Sequence, residues 1–171
     1  MITLVSYNTG WPLLFEQEKI LLVNTMKKWK ISVEHIGSTA IPKIQAKPII
    51  DIMIGVQDLN IADIYLVKII QSIGYTYIKG YETAMPDRRF FQKNVGNVRT
   101  HQIHLVELNS NFWIRHLLFR DYLRVHSNAA KQYEALKLDL ASKFTDTNQY
   151  ALAKTEFIRE IEKLAQSQSP K

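Results

Sequence analysis

Two short stretches of this 171-residue chain carry residues whose types and spacing suit chemistry. The first is Gly37-Ser38-Thr39, which follows a segment, residues 31–36, that reads as a short strand. Backbone N–H groups and two hydroxyls in such a turn are the equipment of a phosphate site. The second is Asp51, a carboxylate inside residues 48–56, a run rich in Ile, Met and Val that reads as an apolar strand. A charge there is costly unless it is paired, hydrogen-bonded or metal-bound. A Pro-punctuated connection through Pro42 joins the two, and together they read as one active-site-like unit. The structural alternative is a carboxylate that accepts hydrogen bonds from the 37–39 turn.

Other candidates stand around this unit. Lys47 precedes the Asp51 strand and can lay its stem on apolar surface while its ammonium reaches an anion. An ordinary solvated lysine is the alternative. Arg88 and Arg89 precede a Phe-rich strand, and neighbours on a strand point to opposite faces, so one of them faces the pocket. Guanidinium forks match phosphate oxygens, and Arg89 is the preferred candidate. His101 and His104 lie three apart in THQIHLVE, on opposite faces, and cannot chelate one metal without a bulge. With Ile103 and Leu105 in the core, Gln102, His104 and Val106 share the other face. His104 then suits a metal ligand beside Asp51, or a general base, and His101 a ligand contact. A histidine bonded to a backbone carbonyl is the alternative. Arg120-Asp121 reads as an ion pair bracing a helix, and Lys154 as a lysine that either reaches the cleft or is solvated. No Ser-His-Asp order, P-loop, Gly-x-Gly-x-x-Gly or His-Glu-x-x-His pattern occurs.

The elements that must position these residues follow from periodicity. Residues 2–7 are β-rich, Asn8-Thr9-Gly10 is turn chemistry, and Trp11-Pro12 opens a helix running to about Lys28. After the strand–turn–strand unit, residues 60–73 read as an amphipathic helix ended by Gly74. Residues 75–78 form a short strand, 80–87 a loop that can act as a flap, 90–92 a strand turning at 94–97, and 99–108 another strand. Three helices follow, 110–126, 128–144 and 148–165, with Ser110 and Asn128 as N-caps and a frayed tail from 166. The order predicts an α/β (α+β) fold: a mixed sheet with helices on one side, packed by the N-terminal helices and extended by a C-terminal helical bundle. The whole chain reads as one domain, with a sheet-containing core at 1–109 and a helical extension at 110–165.

Composition narrows the function classes. No cysteine is present, which removes disulfide frameworks, thiolate metal sites and thiol catalysis. Hydrophobic content of 46% and charged content of 22% are those of an ordinary globular protein. The first residues carry no secretory signal pattern, and no apolar run reaches the ~20 residues that span a bilayer, so a cytoplasmic protein with no membrane partner is expected. A net charge of +6 fits an anionic ligand: a nucleotide, a phosphorylated metabolite or nucleic acid. The basic residues are spread rather than gathered into arms, so nucleic acid is not favoured. Nothing here sets an oligomeric state.

A Gly-Ser after one strand and an Asp on the next resembles the signature of the nucleotidyltransferase fold. More narrowly, HIGSTAIP, KPIIDIMIGV, RRFF, THQIHLVE and FRDYLR, in that order, look like the GrpB family of that superfamily, and the resemblance runs from YNTGWPLLF to AKTEFIREI. It implies a nucleotidyltransferase-like mixed sheet. It also implies transfer of a nucleotidyl or phosphoryl group to a small-molecule or protein acceptor, using Ser38, Asp51 and His104 with Mg2+. The superfamily places two carboxylates as Asp-x-Asp or Asp-x-Glu on this strand, where they point the same way and hold Mg2+. Here the partner of Asp51 is Met53, and a thioether is a poor ligand for a hard cation. The second expectation is therefore a non-catalytic domain that binds a nucleotide, a phosphometabolite or a partner protein. GrpB-like domains occur fused to dephospho-CoA kinase, so the resemblance also implies a link to coenzyme A metabolism.

Overall fold

Alternating apolar residues build the sheet, and the helical segments then cover it. The computed structural model describes residues 2–168. The strands are β1 (Ser32–Ile36), β2 (Ile50–Val56), β3 (Thr76–Tyr77), β4 (Arg88–Val95) and β5 (Val98–Glu107). The helices are α1 (Trp11–Thr25), α2 (Leu59–Ser72), α3 (Asn111–Val125), α4 (Ser127–Lys143), α5 (Thr147–Leu152) and α6 (Thr155–Gln168). Pro12 sits in the first turn of α1, where its missing N–H costs nothing. Asp58 caps α2 through Asn60 N, and Ser110 caps α3 through Trp113 N.

The strand order is β1-β2-β5-β4-β3, with β2 and β5 parallel and every other pair antiparallel. Register decides the faces. Asp51 pairs with Gln102, Met53 with His104, and Phe90 with His104 from the other side. These side chains, with Arg88 and Val106, therefore share one face. Ile52, Ile54, Ile103, Leu105 and Phe91 take the other face and pack beneath α1 and α2 on Phe15, Leu22 and Leu66.

The Asp51 face is covered as well. Ile36, Met53 and Val106 pack on Trp113 of α3. A Cβ at Gly55 would overlap Leu108 and Trp113, so this glycine sets how closely α3 approaches. Beyond it, Ile41 and Ile44 join Leu123, Tyr133 and Ile161 of α3, α4 and α6. The mixed sheet with flanking helices is as expected, but helices cover both faces rather than one. The reason is that Met53, Ile36 and Val106 leave the Asp51 face apolar outside the pocket, and that surface needs a cover.

Smaller departures have local causes. Residues 2–7 make only an isolated bridge, Val5 to Ala46, because Ile2 and Leu4 are drawn into a cluster with Leu140 and Tyr150. The loop before β4 contains a 3-10 turn, Lys79–Thr83. The last expected helix is broken at Ala153 and Lys154, where Lys154 N–H bonds the Ala151 carbonyl in a tightened turn. Helix α6 continues to Gln168, so the expected fraying from 166 does not begin there, and 169–171 lie outside the described residues. Among the described residues, no helix is long and apolar enough to cross a membrane.

Candidate functional site

The site starts from a backbone constraint. Gly37 ends β1 at φ 71°, and the chain then enters a 3-10 turn, Ser38–Ala40. A Cβ at Gly37 would overlap the Asp51 carboxylate, so the absence of a side chain lets that carboxylate lie against the turn. Thr39 is buried and its Oγ1 donates to the Ile49 carbonyl at 3.2 Å. The same oxygen lies 3.0 Å from His35 Nε2 and accepts from it. Thr39 therefore ties the turn to β2, while Ser38 hydrogen-bonds the Tyr133 hydroxyl on α4.

Asp51 accepts from Gln102 Nε2, and its Oδ1 lies 3.8 Å from His104 Nε2. On the far side, Arg88 Nη1 is 3.2 Å from His104 Nδ1. A guanidinium only donates, so Nδ1 accepts and the imidazole proton sits on Nε2, toward Asp51. Burial pushes the His104 pKa down, so the ring stays neutral between Phe90 and Phe112. The result is a line of donors, Arg88 to His104 to Asp51.

In front of Asp51 is a cavity of about 170 Å³ whose wall includes Ser38, Thr39, Lys47, Arg99, Lys137 and Lys154. Lys47 and Lys154 place their ammonium groups 4.7 and 4.4 Å from the centre of one ring, Tyr150. Lys137 is 1% exposed, donates to the Gln45 carbonyl, and lies 4.9 Å from the Tyr133 ring. Burial lowers the Lys137 pKa to about 7, with Lys154 adding to the effect. It lowers Lys154 to about 8 while Asp51 pulls the other way. Lys47 is also lowered, by burial first and then by Lys154 and Arg99. Four cations thus surround one carboxylate in a partly dehydrated space, where a dianion gains more than it would in water.

The structure brings Gly37, Ser38, Thr39, Lys47 and Asp51 together, with His104 behind them. It does not bring Arg89 or His101. Arg89 lies on the opposite face and grips Asp63 with both fork ends, at 2.6 and 2.7 Å, and the Pro86 carbonyl at 2.5 Å. Arg88 lies on the Asp51 face instead, behind His104, and does not line the cavity in front of Asp51. The two do point to opposite faces, but the anchoring carboxylate sits on α2, which fixes Arg89 there. His101 shares that opposite face, its Nδ1 2.9 Å from Thr100 Oγ1 and its electrostatics set by burial, Glu18 and Lys93. Of the expected flap, Ala84, Met85, Pro86 and Asp87 line a different cavity, with Arg88, Arg89, Glu107 and Phe112, away from Asp51.

Sequence reading missed Lys137, Arg99 and Tyr150. Lys137 had a signal: it lies on the buried stripe of α4 with Ala130, Tyr133 and Leu140, where a charge is out of place. The donor set does not fit a resident Mg2+. His104 has both ring nitrogens engaged, Met53 is fully buried, and the group facing Asp51 across the cavity is an ammonium. Among the described residues, no three His, Cys, Asp or Glu side chains are grouped to hold a metal.

A family model described as GrpB protein matches residues 1–164. The chain belongs to the GrpB family. It is 34% identical over 164 residues to "Glutamate-rich protein GrpB" of Alkalihalophilus pseudofirmus, covering 94% of this chain and 93% of that one. It is 42% identical over 165 residues to "UPF0157 protein YqkA" of Bacillus subtilis, where 96% of this chain matches only 47% of the relative. The chain therefore spans about half the length of YqkA. The crystal structure of conserved protein GrpB from Enterococcus faecalis superposes with a TM-score of 0.82 at 35% identity, covering 95% of this chain and 96% of that one. The GrpB likeness thus extends over sheet and helical extension alike.

Proposed function

We propose that this GrpB-family protein binds a phosphorylated small molecule, a nucleotide phosphate or a phosphometabolite, in the cavity between Asp51 and Lys154. The observation that supports this most is the set of four cations, Lys47, Arg99, Lys137 and Lys154, around one carboxylate and the Ser38 turn. Lysines whose charged forms are disfavoured by burial are stabilised when a dianion enters, so the ligand is recognised by charge as well as shape. In this reading lysine ammonium groups take the part that Mg2+ plays where two carboxylates are present. A cytoplasmic setting and the connection to coenzyme A metabolism suggested by family fusions belong to this proposal. Nucleic acid remains disfavoured, because these cations line a small, partly open cavity rather than a surface stripe.

The second reading is transfer of a nucleotidyl or phosphoryl group to an acceptor, for which Asp51 with His104 and Arg88 behind it supplies a candidate proton acceptor. Thermal unfolding with inorganic phosphate, nucleoside triphosphates and coenzyme A precursors, each with and without Mg2+, tests both. A ligand at ~100 times its Kd stabilises by about 2.7 kcal/mol. Stabilisation that needs no Mg2+ and disappears in Lys137→Met supports phosphoryl binding by lysines. Mg2+-dependent stabilisation with release of pyrophosphate or transferred phosphate supports transfer. Sharply salt-dependent binding to DNA or RNA, with no effect of small phosphates, would overturn both.

A further inference from the structure

We propose that Lys154 is a nucleophilic amine that condenses with the carbonyl of a small phosphorylated aldehyde or ketone, whose phosphate is held by Lys47, Lys137 and Arg99. This rests on the phosphorylated-ligand reading and narrows the ligand's class. Lys154 stands at the break between α5 and α6, with its ammonium over the Tyr150 ring and Asp51 near it across the cavity. Lys47 shares that ring at 4.7 Å from its centre, and Lys137 is almost fully buried, donating to the Gln45 carbonyl. Lys47 and Arg99 meet a phosphate dianion as cations, and Lys137 joins them when the dianion draws a proton onto it, so the amine of Lys154 is left for the rest of the ligand.

Size points the same way. A cavity of about 170 Å³ lies below the ~300–1,000 Å³ of sites for drug-sized ligands. It suits a phosphorylated compound of a few carbons better than a whole nucleotide.

An amine attacks only when unprotonated, and burial among cations is how lysines are activated. With its pKa lowered to about 8 by burial, against the pull of Asp51, Lys154 is about half free amine at pH 8. An ordinary lysine, near 10.4, is free to well under ~1% at that pH. The charged and titratable groups facing it are Asp51 from β2, Lys47 and Arg99 from the cavity wall, Lys137 from α4 and Tyr150 from α5.

The step balances within the site. The Lys154 nitrogen attacks the carbonyl carbon, a C–N bond forms, and the carbonyl oxygen takes up a proton to give a carbinolamine. Loss of that oxygen breaks the C–O bond and leaves an imine. Both amine protons depart with the oxygen as water, and Asp51 is placed to carry one of them. No oxidant or reductant is involved.

The test uses the full chain with glycolaldehyde phosphate and cyanoborohydride, followed by digestion and mass spectrometry. One reduced adduct on Lys154 is expected, suppressed by inorganic phosphate and formed at least tenfold more slowly with unphosphorylated glycolaldehyde. Its rate should rise with a midpoint near pH 8, while surface lysines are still rising at pH 10. In Lys154→Arg, checked for unchanged circular dichroism, the selective adduct should vanish. Labelling spread evenly over surface lysines, or a Lys154 adduct indifferent to phosphate, would overturn the inference. Inorganic phosphate that stabilises the wild-type chain while Lys154 stays unlabelled overturns the amine's role and leaves the phosphate-binding reading standing. Absence of phosphate binding overturns both.

Discussion

Asp51 sits among more positive charge than it balances, and that imbalance makes its charge testable. Asp51→Asn keeps an oxygen for Gln102 Nε2, so stability should change by less than ~1 kcal/mol. The carboxylate is what raises the Lys154 pKa against burial, so its loss lowers that pKa further. Reductive labelling of Lys154 with glycolaldehyde phosphate should then reach its midpoint at a lower pH than in the wild-type chain, and titration calorimetry with inorganic phosphate should show altered affinity now that the carboxylate is gone from the cavity. Unchanged binding together with clear destabilisation would make Asp51 purely structural. Lys137 gives a second test. The unfolded chain holds this proton up to 10.5, the folded chain only to about 7, so stability should rise as pH goes from 7 to 10. Lys137→Met should flatten that rise, leave Tm equal or higher, and weaken phosphate binding at least tenfold, read by urea titration and calorimetry. A carboxylate in an apolar strand and a lysine on an apolar helix stripe are both legible in sequence, because each breaks a pattern. The choice between Arg88 and Arg89 was not. Alternation says that they diverge, but only Asp63 on α2 says which way each is held.

At the scale of elements, the turn after β1 is the joint on which the site hangs. Gly37→Ala puts a methyl group onto the Asp51 carboxylate at a backbone φ of 71°. A loss of roughly 1–3 kcal/mol is expected in chemical unfolding, with phosphate binding lost as well. A substitution tolerated without change would mean that Asp51 does not depend on the turn. The same joint is acid-sensitive. His35 stacks on Phe15 with ring centres 4.7 Å apart and donates to Thr39, and burial lowers its pKa from 6.5 to about 4. Between those values the unfolded chain takes up a proton that the folded chain does not. Stability is therefore present above pH 6.5 and is lost as pH falls through 4, by on the order of 3 kcal/mol for this residue. His35→Gln should shrink the acid-side slope in urea titrations. The strand–turn–strand unit was legible from its Gly, its Pro residues and its apolar run. The division between α5 and α6 was not, since no Gly or Pro marks Ala153 and Lys154.

At the scale of the molecule, three of the four clusters of buried apolar side chains join residues 1–109 to the helical extension, one of them from the sheet itself. Deleting residues 110–168 would bare Ile36, Met53 and Val106 to water, so residues 1–109 alone should give no cooperative thermal transition in calorimetry. A sharp transition from that fragment would make the sheet an independent unit. The fold class was legible because strands and helices follow each other in clear periods. Coverage of both sheet faces was not, because a buried strand's continuous apolar run does not say what covers each side. The cavity wall draws on Leu4, Ser38, Asp51, Gln102, Lys137 and Lys154, sites scattered from the start of the chain almost to its end. A small anion seated there acts as a removable staple between distant segments. The peptide between α4 and α5, residues 144–146, is where that staple should be felt as a change in cleavage rate. Protection from a protease on adding phosphate would report occupancy with no knowledge of the reaction, and would make survival of the folded chain answer to metabolite level.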